Sequence, residues 1–181
     1  MRRLHNVITR HIVIFCTLMG IVACGAINEE LPTYEETSIV AVGDVAPDFS
    51  ATLLDNDVVT LSAMRGEVVL LIFFSHTCPD CKALFNDLNA SFEKVEELGV
   101  RTLAIAREGD AAEVARYVVE NGFKFDVAVD NNREIYNLYA TMYVPRAYVI
   151  NKAGVVDFTT VEYATSHLPH LLERAKALID E

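Results

Sequence analysis

Cations are scarce in this chain. Fifteen lysines and arginines face 26 aspartates and glutamates, for a net charge of −11 over 181 residues. Affinity for nucleic acid comes mainly from neutralising phosphates, so nucleic acid is a poor partner. The acidity favours solubility and says little about fold. Long apolar runs are missing as well. The apolar run at the front, Ile12 to Val22, is about half the ~20 residues that cross a bilayer. Cysteine is sparse, at positions 16, 24, 78 and 81. Two of these fall in the first 24 residues, so nothing is left to build a disulfide framework or a four-cysteine zinc site. There is no internal repeat, no low-complexity tract and no sign of a second domain.

What is present is a chain with 52% hydrophobic residues, enough for one domain with a solid core. Ahead of that domain, Met1-Arg2-Arg3 to Arg10 is basic and free of acids, and the short apolar run follows it. This order reads as a secretion signal rather than an anchor helix. Gly25 to about Val40, with Asn28, Glu29, Glu30, Pro32, Glu35 and Glu36, has little periodicity and is expected to be a mobile tether.

From Val42 on, the pattern becomes regular. Ser50 to Leu54 and Val58 to Leu61 are short strand candidates around the turn cluster Asp55-Asn56-Asp57. Val68 to Phe74 is wholly apolar and predicts a strand buried on both faces. Leu84, Phe85, Leu88, Phe92 and Val95 predict one apolar face of a helix from Pro79 to Leu98. Further strands are expected at Val100 to Ala106 and Phe123 to Val129, with a helix between them from Ala111 to the stop at Asn121-Gly122. Asp130 or Asn131 is expected to cap a helix through Ala140. Arg146 to Ile150 and Val155 to Val161 read as an antiparallel hairpin. Leu168, Leu171, Leu172, Ala175, Leu178 and Ile179 stripe a final helix, with Thr165 or Ser166 as its cap. Strands alternating with helices argue for an α/β sheet.

The chemistry centres on Phe73-Phe74-Ser75-His76-Thr77-Cys78-Pro79-Asp80-Cys81. Two cysteines two residues apart sit where a buried strand ends and a helix begins. The first turn of a helix has free N–H groups and the positive end of the macrodipole. A thiol there ionises more readily, and the thiolate is the attacking species. Pro79 suits the first helical position, where its missing N–H costs nothing. In an exported protein a lone close pair reads as redox-active or metal-binding.

Several motifs together resemble the thioredoxin-like superfamily, and within it the exported TlpA/ResA-like thiol–disulfide oxidoreductases beside the AhpC/TSA redoxin group. They are Gly43-Asp44-Val45-Ala46-Pro47-Asp48-Phe49, Leu61-Ser62-Ala63-Met64-Arg65-Gly66, Cys78-Pro79-Asp80-Cys81, Tyr143-Val144-Pro145 and Asn151-Lys152-Ala153-Gly154. The resemblance implies a thioredoxin-like α/β fold over 42–181. Its central mixed sheet would be flanked by helices on both faces, with an N-terminal β-hairpin extension. It also implies a cis Val144–Pro145 bond facing the cysteines. Ile21-Val22-Ala23-Cys24 looks like a bacterial lipobox. That implies a signal peptide over 1–23, a lipidated Cys24 with its tether over 24–41, and an extracytoplasmic lipoprotein facing the periplasm or cell envelope. Cleavage would remove Arg2, Arg3 and Arg10 and leave 12 cations against 26 acids, a net −14.

By this reading Cys78 attacks, Cys81 resolves and Pro145 shapes the groove. No cofactor is expected beyond the Cys78–Cys81 disulfide itself, and no metal. The expected partners are exported proteins with thiols or disulfides and a membrane or periplasmic electron donor, with the chain a monomer. His76, Thr77, Pro79, Asp80, Val144 and Arg146 are candidates for lining the groove or tuning the thiols. His76 either donates to the Cys78 thiolate, binds metal or simply faces solvent. Arg146 stands near the site or is an ordinary exposed strand residue. Asp80 opposes the helix end electrostatically, so no redox direction follows. The family pattern is also broken in three places. Thr77 stands where thioredoxins carry Trp, Ile72 where they carry a buried acid, and Leu84 where ResA-like chains often carry Glu. Asp80, Glu67 or a water would then have to serve as proton acceptor for Cys81.

Two alternatives use the same scaffold. A peroxiredoxin-like peroxide reductase would use Ser75 three residues before Cys78 and an arginine, for which Arg146 is the candidate. An SCO-like copper carrier would use the thiolates with His167 or His170.

Overall fold

A computed structural model describes residues 31–181. The expected signal segment 1–23 and the expected lipidation at Cys24 lie outside these residues. Among the described residues no helix is long and apolar enough to cross a membrane.

The chain opens its regular structure with an antiparallel hairpin, β1 (Ser50–Thr52) and β2 (Val58–Thr60), followed by a 3-10 turn at Leu61–Met64. Strand β3 (Val68–Phe74) leads into helix α1 (Pro79–Ala90), and α2 (Phe92–Glu97) follows. Then come β4 (Val100–Ala106), α3 (Ala111–Asn121), β5 (Asp126–Val129) and the single turn α4 (Tyr136–Tyr139). The hairpin β6 (Arg146–Ile150) and β7 (Val156–Val161) and the last helix α5 (His167–Asp180) complete the chain. The five-stranded sheet has the order β5-β4-β3-β6-β7. Strands β3, β4 and β5 run parallel, while β6 and β7 are antiparallel additions. This is the mixed, helix-flanked thioredoxin-like sheet with its N-terminal hairpin.

Strand β3 is central because its seven residues are all apolar and all buried. Alternate side chains point to opposite faces. Val68, Leu70, Ile72 and Phe74 meet Leu84, Phe85 and Leu88 of α1 and Leu171, Ala175 and Leu178 of α5. Val69, Leu71 and Phe73 meet Leu61, Tyr136, Tyr139 and Tyr148 on the other face. The helical cover is therefore unequal. Four helices lie against one face, while the other carries the hairpin, the 3-10 turn and α4.

Three elements differ from their expected bounds. The Pro79–Leu98 helix breaks at Ser91, whose N–H bonds both Asp87 and Leu88 carbonyls. Strand β5 starts at Asp126 because Phe123 and Phe125 turn into the aromatic cluster around Phe85. The helix expected from Asp130 shrinks to one turn. The Asp130 carboxylate reaches forward to the N–H groups of Ile135 and Tyr136 and starts the helix there instead.

Residues 32–40 differ most from expectation, since they pack on the domain. The N–H groups of Ile39 and Val40 both donate to the Tyr139 carbonyl, and Thr37 and Val40 are buried. Arg146 is the reason. Its side chain is 1% exposed, and it donates to the Met142 carbonyl at 2.8 Å, to Ser38 Oγ at 2.7 Å and to Thr37 Oγ1 at 2.7 Å. A buried guanidinium needs such partners, and this segment supplies two of them.

Replacing Arg146 with Met should therefore lower unfolding stability by about 2–4 kcal/mol. It should also expose residues 32–40 to limited proteolysis, read against the intact chain by denaturant titration and digestion. A variant as stable and as resistant as the parent would contradict this account.

Candidate functional site

The two cysteines lie at the carboxyl end of β3. Strand pairing holds that end from both sides, to β4 through Phe74↔Ala106 and to β6 through Phe73↔Arg146. The Phe74 carbonyl accepts the Arg107 N–H at 2.9 Å. The chain then turns, with the Cys78 N–H donating to the Ser75 carbonyl at 3.1 Å. Cys78 is the N-cap of α1 in an extended conformation, with Pro79 following it. Its sulfur takes the role usually filled by a capping oxygen, accepting the Cys81 N–H at 3.4 Å. Both cysteines are free thiols, Cys78 half-buried and Cys81 fully buried.

Beside Cys78 the Val144–Pro145 bond is cis. The Cys78 thiol donates to the Val144 carbonyl at 3.6 Å. Tyr143 adopts a left-handed φ of 69°, and its hydroxyl donates to the Pro32 carbonyl at 2.6 Å. The Pro145 carbonyl accepts the Glu162 N–H at 2.7 Å. So Cys78, Cys81, Val144 and Pro145 come together in one place.

Burial is the main influence on Cys81 and pushes its thiol well above the ordinary value. The Ser75 N–H opposes that rise, the neighbouring Cys78 adds to it, and the Arg107 charge favours the thiolate. Neither acid named from the sequence reaches Cys81. Glu67 precedes β3 at its far end, roughly 25 Å from Ser75 at strand rise. Asp80 is exposed in the first turn of α1. Ile72 and Leu84, at the positions of the missing acids, are buried and apolar.

His76 is partly buried, and its Nδ1 has no hydrogen-bond partner among the described residues. Its Nε2 lies 4.0 Å from Glu113 Oε2, and its ring meets the edge of Tyr117 at 6.3 Å. It packs over Gly109, where a Cβ would come within 2.9 Å of the ring. His76 thus faces α3 rather than open solvent. Thr77 is exposed, with its Oγ1 3.0 Å from Ser75 Oγ. The Arg146 side chain is buried on the opposite face from Cys81, bound to residues 37, 38 and 142, so its reading as an exposed strand residue is corrected, while its backbone adjoins Pro145 and its guanidinium holds the loop before it. The arginine needed by the peroxidatic alternative is therefore engaged elsewhere. His167 and His170 belong to α5, and His167 Nδ1 lies 3.2 Å from the Glu162 carbonyl. Among the described residues no group of three or more His, Cys, Asp or Glu is placed to hold a metal.

Three residues near the thiols escaped sequence reasoning. Arg107 and Glu108 follow β4, and Tyr117 stands on α3. Tyr117 is pushed up to about 12 by burial and then by the charges of Cys81 and Cys78. The available signal was positional, since sites in α/β sheets gather at the carboxyl ends of parallel strands and Arg107 is the first residue past one.

A model of the AhpC/TSA family matches residues 42–159. The chain is 27% identical over 145 residues to the thiol-disulfide oxidoreductase ResA of Bacillus thuringiensis, covering 79% of this chain and 84% of the relative. It is 30% identical over 127 residues to ResA of Oceanobacillus iheyensis, covering 68% and 66% respectively. The solution structure of a proposed protein disulfide isomerase from Bacteroides thetaiotaomicron superposes with a TM-score of 0.75 at 25% identity. That match covers 80% of this chain and 94% of the other.

Two outcomes follow from the burial of Cys81. Iodoacetamide should modify Cys78 at least about tenfold faster than Cys81 in the reduced chain, as read by mass spectrometry of peptides. Equal rates would contradict the geometry. The second concerns alkaline pH. Unfolded Cys81 ionises near 9.0 while the folded thiol stays protonated, so the unfolded state then binds fewer protons. The stabilisation is complete below that pH and is lost progressively as pH rises from there toward the higher folded value. Between about pH 9 and 10, stability should fall more steeply in the reduced parent than in Cys81→Ala, by about 1 kcal/mol per unit.

Proposed function

The chain belongs to the AhpC/TSA family and is a thiol–disulfide oxidoreductase of thioredoxin fold; on that premise we propose that Cys78 and Cys81 are its reacting pair, working outside the cytoplasm on exported proteins. The observation that carries this reading is the Cys78 sulfur. It caps α1, accepts the Cys81 N–H, and lies against the Val144 carbonyl beside Pro145.

The Cys78 thiolate attacks one sulfur of a substrate disulfide. A Cys78–substrate bond forms, and the other substrate sulfur leaves as a thiolate that takes up a proton. Cys81 then loses its proton and attacks the Cys78 sulfur. The Cys78–Cys81 bond forms and the second substrate sulfur leaves as a thiol. A partner dithiol returns the two electrons. Cys81 suits the second step because burial keeps it from reacting with anything except its neighbour.

The groove supplies the substrate contact. Once Cys78 is ionised or bonded to substrate it no longer donates to the Val144 carbonyl. That carbonyl is then open to an N–H of an extended segment of the partner. Pro145 has no N–H to compete for it. The pair itself is the redox group, with no added cofactor. Lipid on Cys24, behind the signal-like segment, would hold the domain to a membrane outside the cytoplasm.

The test is equilibration of the chain with glutathione or dithiothreitol buffers, following the Cys78–Cys81 disulfide by alkylation and mass. A reversible disulfide is expected. Cys78→Ser should abolish reaction with oxidised glutathione, and Cys81→Ser should accumulate the mixed disulfide. Absence of any reversible disulfide would remove the dithiol mechanism. A potential near −270 mV would make the protein a reductant, and one near about −120 mV an oxidant.

A further inference from the structure

Resting on the dithiol reading, we propose that Arg107 is a positioning residue for the reaction, joining the floor beneath Cys81 to the loop that carries Val144 and Pro145. Its backbone N–H bonds the Phe74 carbonyl, one residue before Ser75. Its side chain is mostly buried, at 17% exposed. One guanidinium nitrogen donates to the Tyr136 hydroxyl at 3.3 Å, and the guanidinium carbon stands 5.2 Å from the centre of that ring. The Tyr136 hydroxyl in turn donates to the Tyr143 carbonyl at 2.8 Å. The next carbonyl along the chain, that of Val144, is the one that meets Cys78.

The anchoring of this relay is firm at each end. Tyr136 is fully buried, and its own N–H is held by Asp130 at 2.7 Å. Glu108, paired with Arg133, lies 3.8 Å from Arg107 Nε. Burial works to raise the Glu108 carboxyl, and the Arg133 bond with the charges of Arg107 and Arg133 more than reverses it. Glu108 therefore stays a carboxylate and balances the arginines. Arg107 Nε is itself buried with no hydrogen-bond partner among the described residues, so the guanidinium is not saturated by the fold.

The chemical consequence concerns Cys81. Ile72 and Leu84 are buried and apolar, and the charge that favours the Cys81 thiolate, against that of Cys78, is the cation Arg107. A cation accepts no proton. It lowers the cost of the Cys81 thiolate as the proton leaves to water or to the departing substrate sulfur. The other titratable groups that act with Cys81 are Cys78 on its own helix and Tyr117 on α3, while Asp80 is exposed and His76 turns to Tyr117 and Glu113. Arg107 does not titrate in the working range. The closing step should therefore speed up with pH along one limb set by Cys81 itself.

The full-length chain tests this by rapid mixing of the reduced protein with oxidised glutathione from neutral to alkaline pH. Formation and closure of the mixed disulfide are followed separately. Arg107→Met and Arg107→Gln should both move the closing limb to higher pH by about one unit. At neutral pH closure should slow about threefold, the tenfold loss of thiolate being partly offset by its greater nucleophilicity. Arg107→Lys should restore the limb. Tyr136→Phe should slow the first step, by loosening the loop, and leave the closing limb where it is. If the neutral variants overlay the parent in pH profile, Arg107 is only structural and the proposal is wrong. A Tyr136→Phe variant that shifts the limb as well would also overturn the division of roles. Thermal unfolding of each variant separates misfolding from chemistry, and Arg107→Gln carries the test if Arg107→Met does not fold. If the parent itself forms no disulfide, the dithiol reading falls and this proposal with it. If the parent closes normally and the neutral variants match it, only the role of Arg107 falls.

Discussion

The bond from the Cys81 N–H to the Cys78 sulfur is the contact on which the site depends. It exists only because a helix starts where it does. The first-turn N–H groups of α1 lack intrahelical partners, and a sulfur at the N-cap fills one of those vacancies. The start of α1 is in turn fixed by β3, whose apolar side chains are locked into both faces of the sheet. A strand buried on both faces cannot slip by one residue without exchanging its two faces. The register of β3 thereby sets the register of the chemistry.

The two faces contribute differently. The face under α1 and α5 buries Cys81 and makes it a thiol that meets only its neighbour. The other face is built from aromatic hydroxyls. Phe73 packs against Tyr136, Tyr139 and Tyr148, with ring centres 5.1 to 6.1 Å apart. Those tyrosines bring hydrogen-bonding groups into an apolar layer, and each finds a backbone carbonyl. Tyr136 bonds Tyr143, and Tyr139 bonds Pro47. Buried phenols need such partners. This layer therefore specifies loop positions as well as filling volume, and one of those loops is the wall opposite Cys78.

What the sequence made legible follows from local pattern. The Cys78–Cys81 spacing, the solid Val68–Phe74 run and the stripes of α1, α3 and α5 can each be read within a window of a few turns. What it hid depends on polar bonds between residues far apart in the chain. Arg146 could not be placed because its partners, Thr37 and Ser38, stand over a hundred positions away in a segment that has no periodicity. The same bonds turned the far part of the expected tether into part of the domain. The helix after β5 was overestimated because Asp130 caps from several residues ahead of α4. The role of Arg107, beyond its place at the end of β4, was hidden for a related reason. Its meaning lies in Tyr136 and Tyr143, and neither shares a local pattern with it.

The loop before Pro145 shows how these long-range bonds converge. Four successive carbonyls there each accept a donor, two of them from distant parts of the chain. Met142 receives Arg146, Tyr143 receives the Tyr136 hydroxyl, Val144 receives the Cys78 thiol, and Pro145 receives the Glu162 N–H. Irregular backbone on a protein surface ordinarily leaves such groups to water. Here three of the four donors are permanent parts of the fold. The fourth, Cys78, is the one that the proposed dithiol chemistry would remove. Ionisation or disulfide formation at Cys78 withdraws its hydrogen and frees one carbonyl in a wall that is otherwise held rigid. On the proposed reading the acceptor is already in place and only its donor would change. In a chain this acidic, with 26 acids against 15 cations, two arginines hold that wall, Arg146 by bonding the Met142 carbonyl and Arg107 by acting through Tyr136. A guanidinium can be buried with several directional bonds and keep its charge, which suits it to fix backbone carbonyls beside a thiol that must itself gain and lose a charge.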